Sequence, residues 1–199
     1  NFLIEHQCPQ CGAPAVLEET DRLFNCQYCR VKSFLIEKSY FRYMFADKAP
    51  PDKKLLCFPY WRFKGMFFSC GPGGIQHRFM DLSHQAVKSS VFPVSVGLRS
   101  QALKLRFVSP DTQGRFLSPT FTLDRVMDIF DRRYTTGVFK PILHKSHIGE
   151  SLSLIYSPFY VEKKLYDGIL NNVVSTNLPD GFDADHLPGG KPQWQIRFI

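Results

Sequence analysis

Long apolar runs are missing from this 199-residue chain. Uncharged stretches such as Gly65 to His77 and Ser151 to Val161 fall short of the ~20 apolar residues a membrane helix needs and are interrupted by Ser, Gly or Pro. Also missing are a His-Glu-x-x-His pair, a glycine loop ending in Lys-Ser/Thr, and the ligand order of an EF-hand. These absences remove the membrane-helix, metalloprotease, P-loop and EF-hand readings. Long helical periodicity is scarce as well. What remains is 44% hydrophobic and 22% charged, a globular composition long enough for a small metal module and one sizeable core. Asn1-Phe2-Leu3-Ile4-Glu5 shows no basic segment leading into an apolar one, and the cysteine usage fits a reducing compartment, so we expect a cytoplasmic protein.

Cysteine is the first positive signal. Cys8/Cys11 and Cys26/Cys29 form two Cys-x-x-Cys pairs with fourteen residues between the inner two. Two intervening residues let a tight knuckle aim both thiolates at one tetrahedral metal, and Gly12 supplies the positive φ that such a turn needs. The segment between the knuckles is long enough for a β-hairpin that brings the second pair against the first. We expect one structural Zn2+ held by Cys8, Cys11, Cys26 and Cys29. Four sulfur ligands leave no open position for substrate or water, so the metal contributes folding free energy and no chemistry. Iron in a rubredoxin-like site is the alternative, because ligand type alone does not separate the two metals. Two disulfides fit less well, since each pair would close a very small loop. Cys57 and Cys70 read as buried thiols.

Residues 5 to 31 resemble the zinc ribbons of transcription factor IIB and of many bacterial proteins. The later segment Phe58-Pro59-Tyr60-Trp61-Arg62-Phe63, with its echo Pro158-Phe159-Tyr160, is similar to a loosely defined group of bacterial zinc-ribbon proteins with a Pro-aromatic-Trp β domain. That resemblance implies an accessory or assembly protein whose metal site anchors a platform for other proteins, and no enzymatic activity.

Charge is unevenly placed. Residues 1 to 29 carry one Arg against four acidic residues, whereas residues 30 to 64 carry nine basic against three acidic. A ribbon that gripped phosphate would carry the basic charge itself. The basic residues from Arg30 to Lys64 are interleaved with Phe34, Tyr40, Phe41, Tyr43, Phe45 and Trp61, so two readings stand: a surface that stacks single-stranded bases, or a solvated strand face whose aromatics form the core.

After the ribbon, period-2 patterns predict a mainly β body, with strands at Ser33–Glu37, Leu55–Phe63, Met66–Cys70, Gln76–Leu82, Phe92–Val96, Ala102–Val108, Arg115–Phe121, Leu152–Tyr156, Phe159–Lys163 and Gln193–Phe198. One short helix of about ten residues is signalled, capped at Thr122 or Asp124 and ending near Arg132-Arg133. Leu55 to Trp61 and Leu154 to Tyr160 share an apolar lead-in, a proline and two aromatics at a displacement of 99 residues. This repeat suggests pseudo-symmetric halves with their Pro-aromatic corners close together. Proline cannot donate to a ladder, so we expect Pro59 and Pro158 on edge strands or bulges. Trp194, Ile196 and Phe198 alternate as a strand that closes this sheet or joins a partner's. The expected organisation is a ribbon over 1–32, a linker and first strand over 33–54, and a β-rich domain over 55–199.

Other constellations are weak. His144 and His147 read as loop residues, His77 lacks an orienting third group to activate Cys70, and Asp180, Asp183, Asp185 and His186 read as a solvated acidic loop. The reading is a non-catalytic zinc-binding scaffold with a protein partner. A nucleic-acid factor using residues 30–64 is the alternative, and an iron redox carrier a further one.

Overall fold

The structure is a computed structural model that describes residues 3–18, 21–34, 40–108, 112–136, 138, 140–176, 178–180 and 182–190. In chain order the strands are β1 (Leu3–Gln7), β2 (Pro14–Glu18), β3 (Leu23–Asn25), β4 (Lys32–Phe34), β5 (Phe41–Phe45), β6 (Leu56–Gly71) and β7 (Gly74–Gln85). After helix α1 (Arg99–Ala102) come β8 (Leu105–Phe107) and β9 (Arg115–Leu117), then α2 (Leu123–Thr135). The chain continues as β10 (His144–Val161), β11 (Leu165–Asp167), β12 (Val173–Ser175), a 3-10 turn at Ala184–His186 and β13 (Gly189–Gly190). The mainly β fold matches the alternating sequence pattern. The expected strand at Gln193–Phe198 lies outside the described residues.

Two long strands, β6 and β10, form the centre of an eleven-stranded sheet ordered β13-β9-β6-β10-β5-β8-β1-β2, with β7 on β6 and β11 and β12 beyond β10. They pair antiparallel from His144↔Cys70 to Phe159↔Leu56. Each replaces two expected strands. Nothing breaks β6 at Gly65, because Gly65 is where the two backbones come closest: a Cβ there would lie 2.3 Å from the Ile148 carbonyl oxygen and 2.7 Å from Gly149 Cα. The β10 ladder shifts by one residue between Gly149 and Ser151, which lets the long pair bend.

The 99-residue repeat is a structural pseudo-two-fold. Leu56 and Cys57 pair parallel with β9, and from Tyr60 onward β6 pairs antiparallel with β7. Likewise Ser153 to Tyr156 of β10 pair parallel with β5, and from Phe159 onward β10 pairs antiparallel with β11. Each half therefore lends its short parallel strand to the other. Pro59 and Pro158 depart from expectation, since both are buried inside these central strands. The Pro59 carbonyl accepts from the Ala86 N–H at 2.9 Å and the Pro158 carbonyl from Gly168 at 2.9 Å, both on the side away from the β6–β10 ladder. A strand residue's N and C=O point to the same side, so each proline nitrogen faces the gap where its strand changes outer neighbour, and no ladder bond is lost.

Alternation along β6 fills two cores. Leu56, Phe58 and Tyr60 join Tyr43, Phe45, Ile155 and Phe159 on one face. Cys57, Trp61, Phe63 and Phe67 join Met44, Leu154, Tyr156 and Phe116 on the other, beneath Val126 and Phe130 of α2. Thr122 caps α2 by accepting from the Arg125 N–H, as the sequence predicts, and Arg132 and Arg133 lie in its last turn.

Several expectations are corrected. Phe92–Val96 is not a strand: Pro93 interrupts it, Val94 O accepts from Gln85 N, and Val96 N donates to Ser83 Oγ, so Phe92 and Val96 are buried as loop residues. The strands expected at Ala102–Val108 and Arg115–Phe121 shrink to β8 and β9. Phe41–Phe45, assigned to the linker region, is a buried strand between β10 and β8.

Candidate metal centre

The four sequence-predicted ligands converge. Their Sγ atoms all lie within 4.8 Å of one another, and they are the one group of three or more metal-ligating side chains of this kind among the described residues. Cys8 Sγ is 3.6 Å from Cys29 Sγ and Cys11 Sγ is 3.7 Å from Cys26 Sγ. A tetrahedron with metal–sulfur bonds of ~2.3 Å has sulfur edges of ~3.8 Å, so the cage fits one zinc ion; a disulfide would need ~2.05 Å. All four thiols are unbridged.

Local hydrogen bonding explains how the spacing becomes a cage. In the first knuckle Cys8 N donates to Ala13 O and Gly12 N to Cys8 O; in the second Cys26 N donates to Val31 O and Arg30 N to Cys26 O. The two loops repeat each other, and each needs a left-handed residue just after its second cysteine. Gly12 has φ 71° there as expected, and Arg30 has φ 61°. Contrary to expectation, β2 and β3, the strands between the knuckles, do not pair with each other among the described residues. Each knuckle lies instead at the turn of its own hairpin, β1–β2 and β3–β4.

Four thiols this close cannot all ionise without a cation among them. The Cys29 N–H that Cys26 Sγ accepts pulls Cys26 down to about 6. At Cys29 the Val31 amide lowers the pKa, but burial and the three neighbouring thiols outweigh it and push it up to about 12. A divalent cation would compensate the clustered negative charge and hold all four as thiolates. Arg22 of the ribbon stacks over Phe41 at 4.5 Å.

The cage is continuous with the main sheet. Ile4 and Glu5 of β1 pair parallel with Leu105 and Arg106 of β8, and the His6 ring sits edge-on to Phe24 and Phe107, each at 5.8 Å. Cys8, Cys26, Phe24 and Leu17 are buried in the same core as Phe41 and Tyr43.

Other sequence candidates separate. Phe41, Tyr43, Phe45 and Trp61 are buried and form core, and half-buried Tyr40 packs edge-on to Trp61 at 4.6 Å with the Arg42 guanidinium over its ring at 4.6 Å; the Phe34 side chain lies outside the described residues. Within the same region Arg62 is fully buried and bidentate to Asp81, at 2.7 and 2.8 Å. No local sequence signal points to this pair; the β6–β7 register, with Arg62 facing Ser83 and Lys64 facing Asp81, places it. His144 and His147 lie on β10, not in a loop. They belong to a hydrogen-bonded ladder and His147 turns under α2, with Nε2 3.9 Å from Asp131 Oδ1. His77 faces Phe68 across the hairpin, and Cys70, expected to be buried, is half-exposed. Cys57 is buried, and burial pushes its thiol up to about 12, away from reactivity. In the acidic loop Asp183 accepts from Asp185 N and contacts His186 Nδ1 at 2.6 Å, while Asp185 faces Lys54 and Arg115.

Among the described residues no helix is long and apolar enough to cross a membrane. Compared with family models, curated proteins and solved structures, the chain matches none.

Proposed function

We propose that this protein is a non-catalytic scaffold or accessory subunit whose tetrathiolate zinc site locks one end of a β platform that binds another protein. The observation that carries the reading is the closed cage itself: four sulfurs at tetrahedral spacing occupy every position of a four-coordinate metal, and the hairpin that bears two of them is hydrogen-bonded into the main sheet. Such a metal stabilises a surface and leaves no site for substrate. The resemblance to bacterial zinc-ribbon proteins of accessory type points the same way.

Support for a protein partner comes from the far end of β6. Beyond Gly65 the strands β7, β6 and β10 project as an arm. The register sets Ile75, Cys70 and His144, then His77, Phe68 and Ser146, then Phe79, Met66 and Ile148 in rows across one face. Ile75 is 75% exposed, Phe79 57% and Ile148 59%. Phe67 turns to the opposite face, against Tyr134 of α2. Among the described strands β7 pairs only with β6, and no other described strand runs along the outer edge of its Gly74–Met80 stretch. The register also places Lys64, His77 and His144 on this face, where the carboxylate of Asp81 is engaged by buried Arg62. The partner we infer is an extended acidic and apolar segment that adds as a strand to β7 and sets alternate side chains on this face.

Native mass spectrometry of the protein purified from its own cells tests this. The expected species carries one zinc and one defined protein, and that protein is absent when Ile75→Asp and Phe79→Asp are introduced together while zinc is retained. Co-purifying nucleic acid lost at moderate salt, or one iron and visible absorption in place of zinc, would replace the reading.

A further inference from the structure

A second site lies at the opposite end of β6 from the arm. The β5–β6 connection, residues Thr112–Gly114 just before β9 and the 3-10 turn Ala184–His186 meet over the start of β6, because β5 pairs with β8, β9 with β6, and β13 with β9. Between them opens a cleft of about 900 Å³, floored by Leu55, Leu56 and Phe107.

Cations dominate its chemistry. Lys53 is committed to the fold, at 2.7 Å from both Asp52 and Glu162. Lys54, Arg106 and Arg115 stand differently. Arg106 Nη2 is 3.5 Å from Asp47, Arg115 Nη1 is 3.5 Å from Asp185, and Lys54 Nζ is 3.8 Å from the same Asp185. Charge-assisted hydrogen bonds are ~2.7–2.9 Å long, so these carboxylates neutralise the cations from a distance without using their donors well. Arg106 Nε is buried and makes no hydrogen bond. Arg115 is oriented by donating its other nitrogen, Nη2, to the Leu187 carbonyl. Among the described residues Lys54, Arg106 and Arg115 thus line a partly apolar cleft together with Asp47 and Asp185, while Asp52, also in the lining, is held by Lys53. The Asp185 side chain is 65% exposed and sits on a single turn.

From this geometry we propose that the cleft binds a small oxyanion-bearing molecule, with a phosphate or carboxylate group held by Arg106, Arg115 and Lys54, and that Asp185 occupies part of the anion's place until the ligand arrives. The apolar floor lowers the local dielectric and strengthens attraction for such a group. It also offers a surface for the organic part of the ligand. Because Asp185 competes with the ligand, removing its charge and removing a cation act in opposite directions.

The test is titration calorimetry on the zinc-loaded protein with inorganic phosphate, pyrophosphate and malonate, each against sodium chloride at matched ionic strength. Saturable binding of at least one oxyanion is expected, and the tighter of phosphate and malonate identifies the group recognised. A charge-assisted bond contributes enough that Arg106→Gln should weaken binding about tenfold or more. Asp185→Asn should tighten it about threefold or more, by removal of the competing charge. Lys54→Gln, at a side chain 90% exposed and so without risk to folding, should weaken it severalfold. Binding no stronger than that of chloride, or an Asp185→Asn variant that binds more weakly than the parent, would overturn the proposal.

Discussion

Pro59 and Pro158 lie two residue pairs apart on adjacent strands, Pro59 opposite Tyr156 and Pro158 opposite Cys57, and each marks the point where its strand exchanges a parallel neighbour for an antiparallel one. The carbonyls of the residues that donate to Pro59 and Pro158 are already engaged, Ala86 O by the Thr120 and Phe121 N–H groups and Gly168 O by the Lys48 N–H, so an N–H at either proline would compete for an occupied acceptor. Pro59→Ala and Pro158→Ala are each expected to lower stability by about 1–3 kcal/mol, although alanine is the better ladder residue elsewhere. Urea unfolding of each variant decides it; unchanged midpoints would mean that water or a carbonyl reaches the new N–H.

Metal removal should act beyond the knuckles. With the cage empty or with Cys26→Ser, β1 loses its anchor and its parallel ladder to β8 weakens. Hydrogen exchange should speed up at Leu105–Phe107 as well as in residues 3–34, while the centre of the β6–β10 ladder stays protected. Exchange confined to the ribbon would show that the two parts are energetically independent.

Arg62 and Asp81 form a buried bidentate pair. Asp81→Ala removes the bidentate carboxylate from the buried guanidinium, and a loss of about 3–5 kcal/mol is expected. Replacing both together, as Arg62→Met with Asp81→Leu, should recover most of it. A double-mutant cycle in denaturant measures the coupling, and additive losses would contradict it.

At Gly65 a methyl group would meet backbone atoms of Ile148 and Gly149, which cannot rotate away. Gly65→Ala should cost more than about 2 kcal/mol, by the same reasoning that applies to overpacked cores. Gly73→Ala, with nothing within 4 Å of the new carbon, serves as the matched control and should stay within about 0.5 kcal/mol.

Acid should destabilise the fold through buried imidazoles. Burial holds His84 below its ordinary value of 6.5, with Arg133 and Arg125 adding to the effect against the Gln85 carbonyl it contacts. Above pH 6.5 the ring is neutral in both states and contributes no pH dependence. As pH falls through 6.5 the unfolded chain takes up the proton first, so stability declines. Thermal melts from pH 7.5 to 5 should show a shallower decline for His84→Gln than for the parent, with zinc loss common to both; equal slopes would remove His84 from the account.

Local chemistry was legible where it is local. Two Cys-x-x-Cys knuckles, Gly12, the Thr122 cap and the alternation of Leu56 to Trp61 each depend on neighbours a few residues away, and each appears as read. The repeat was legible too, because equivalent strands in two halves need the same apolar, proline and aromatic positions. Phe41–Phe45 was missed because a five-residue strand that contains Arg42 and lies between Lys38 and Lys48 resembles a basic linker until its neighbours β10 and β8 are known. The aromatics of that region could not be assigned to core or surface from one chain, since exposure depends on what lies across the sheet.

By itself the sequence determined the metal ligands, the mainly β class and the presence of two related halves, because ligand spacing, side-chain period and turn chemistry act over short distances. Only the tertiary structure decided that prolines belong in the two central strands, that Arg62 is a core residue, that one sheet runs from the ribbon to the arm, and that Lys54, Arg106 and Arg115 share a cleft. Those outcomes depend on which strands become neighbours and in what register, and a shift of one residue in register would reverse every face.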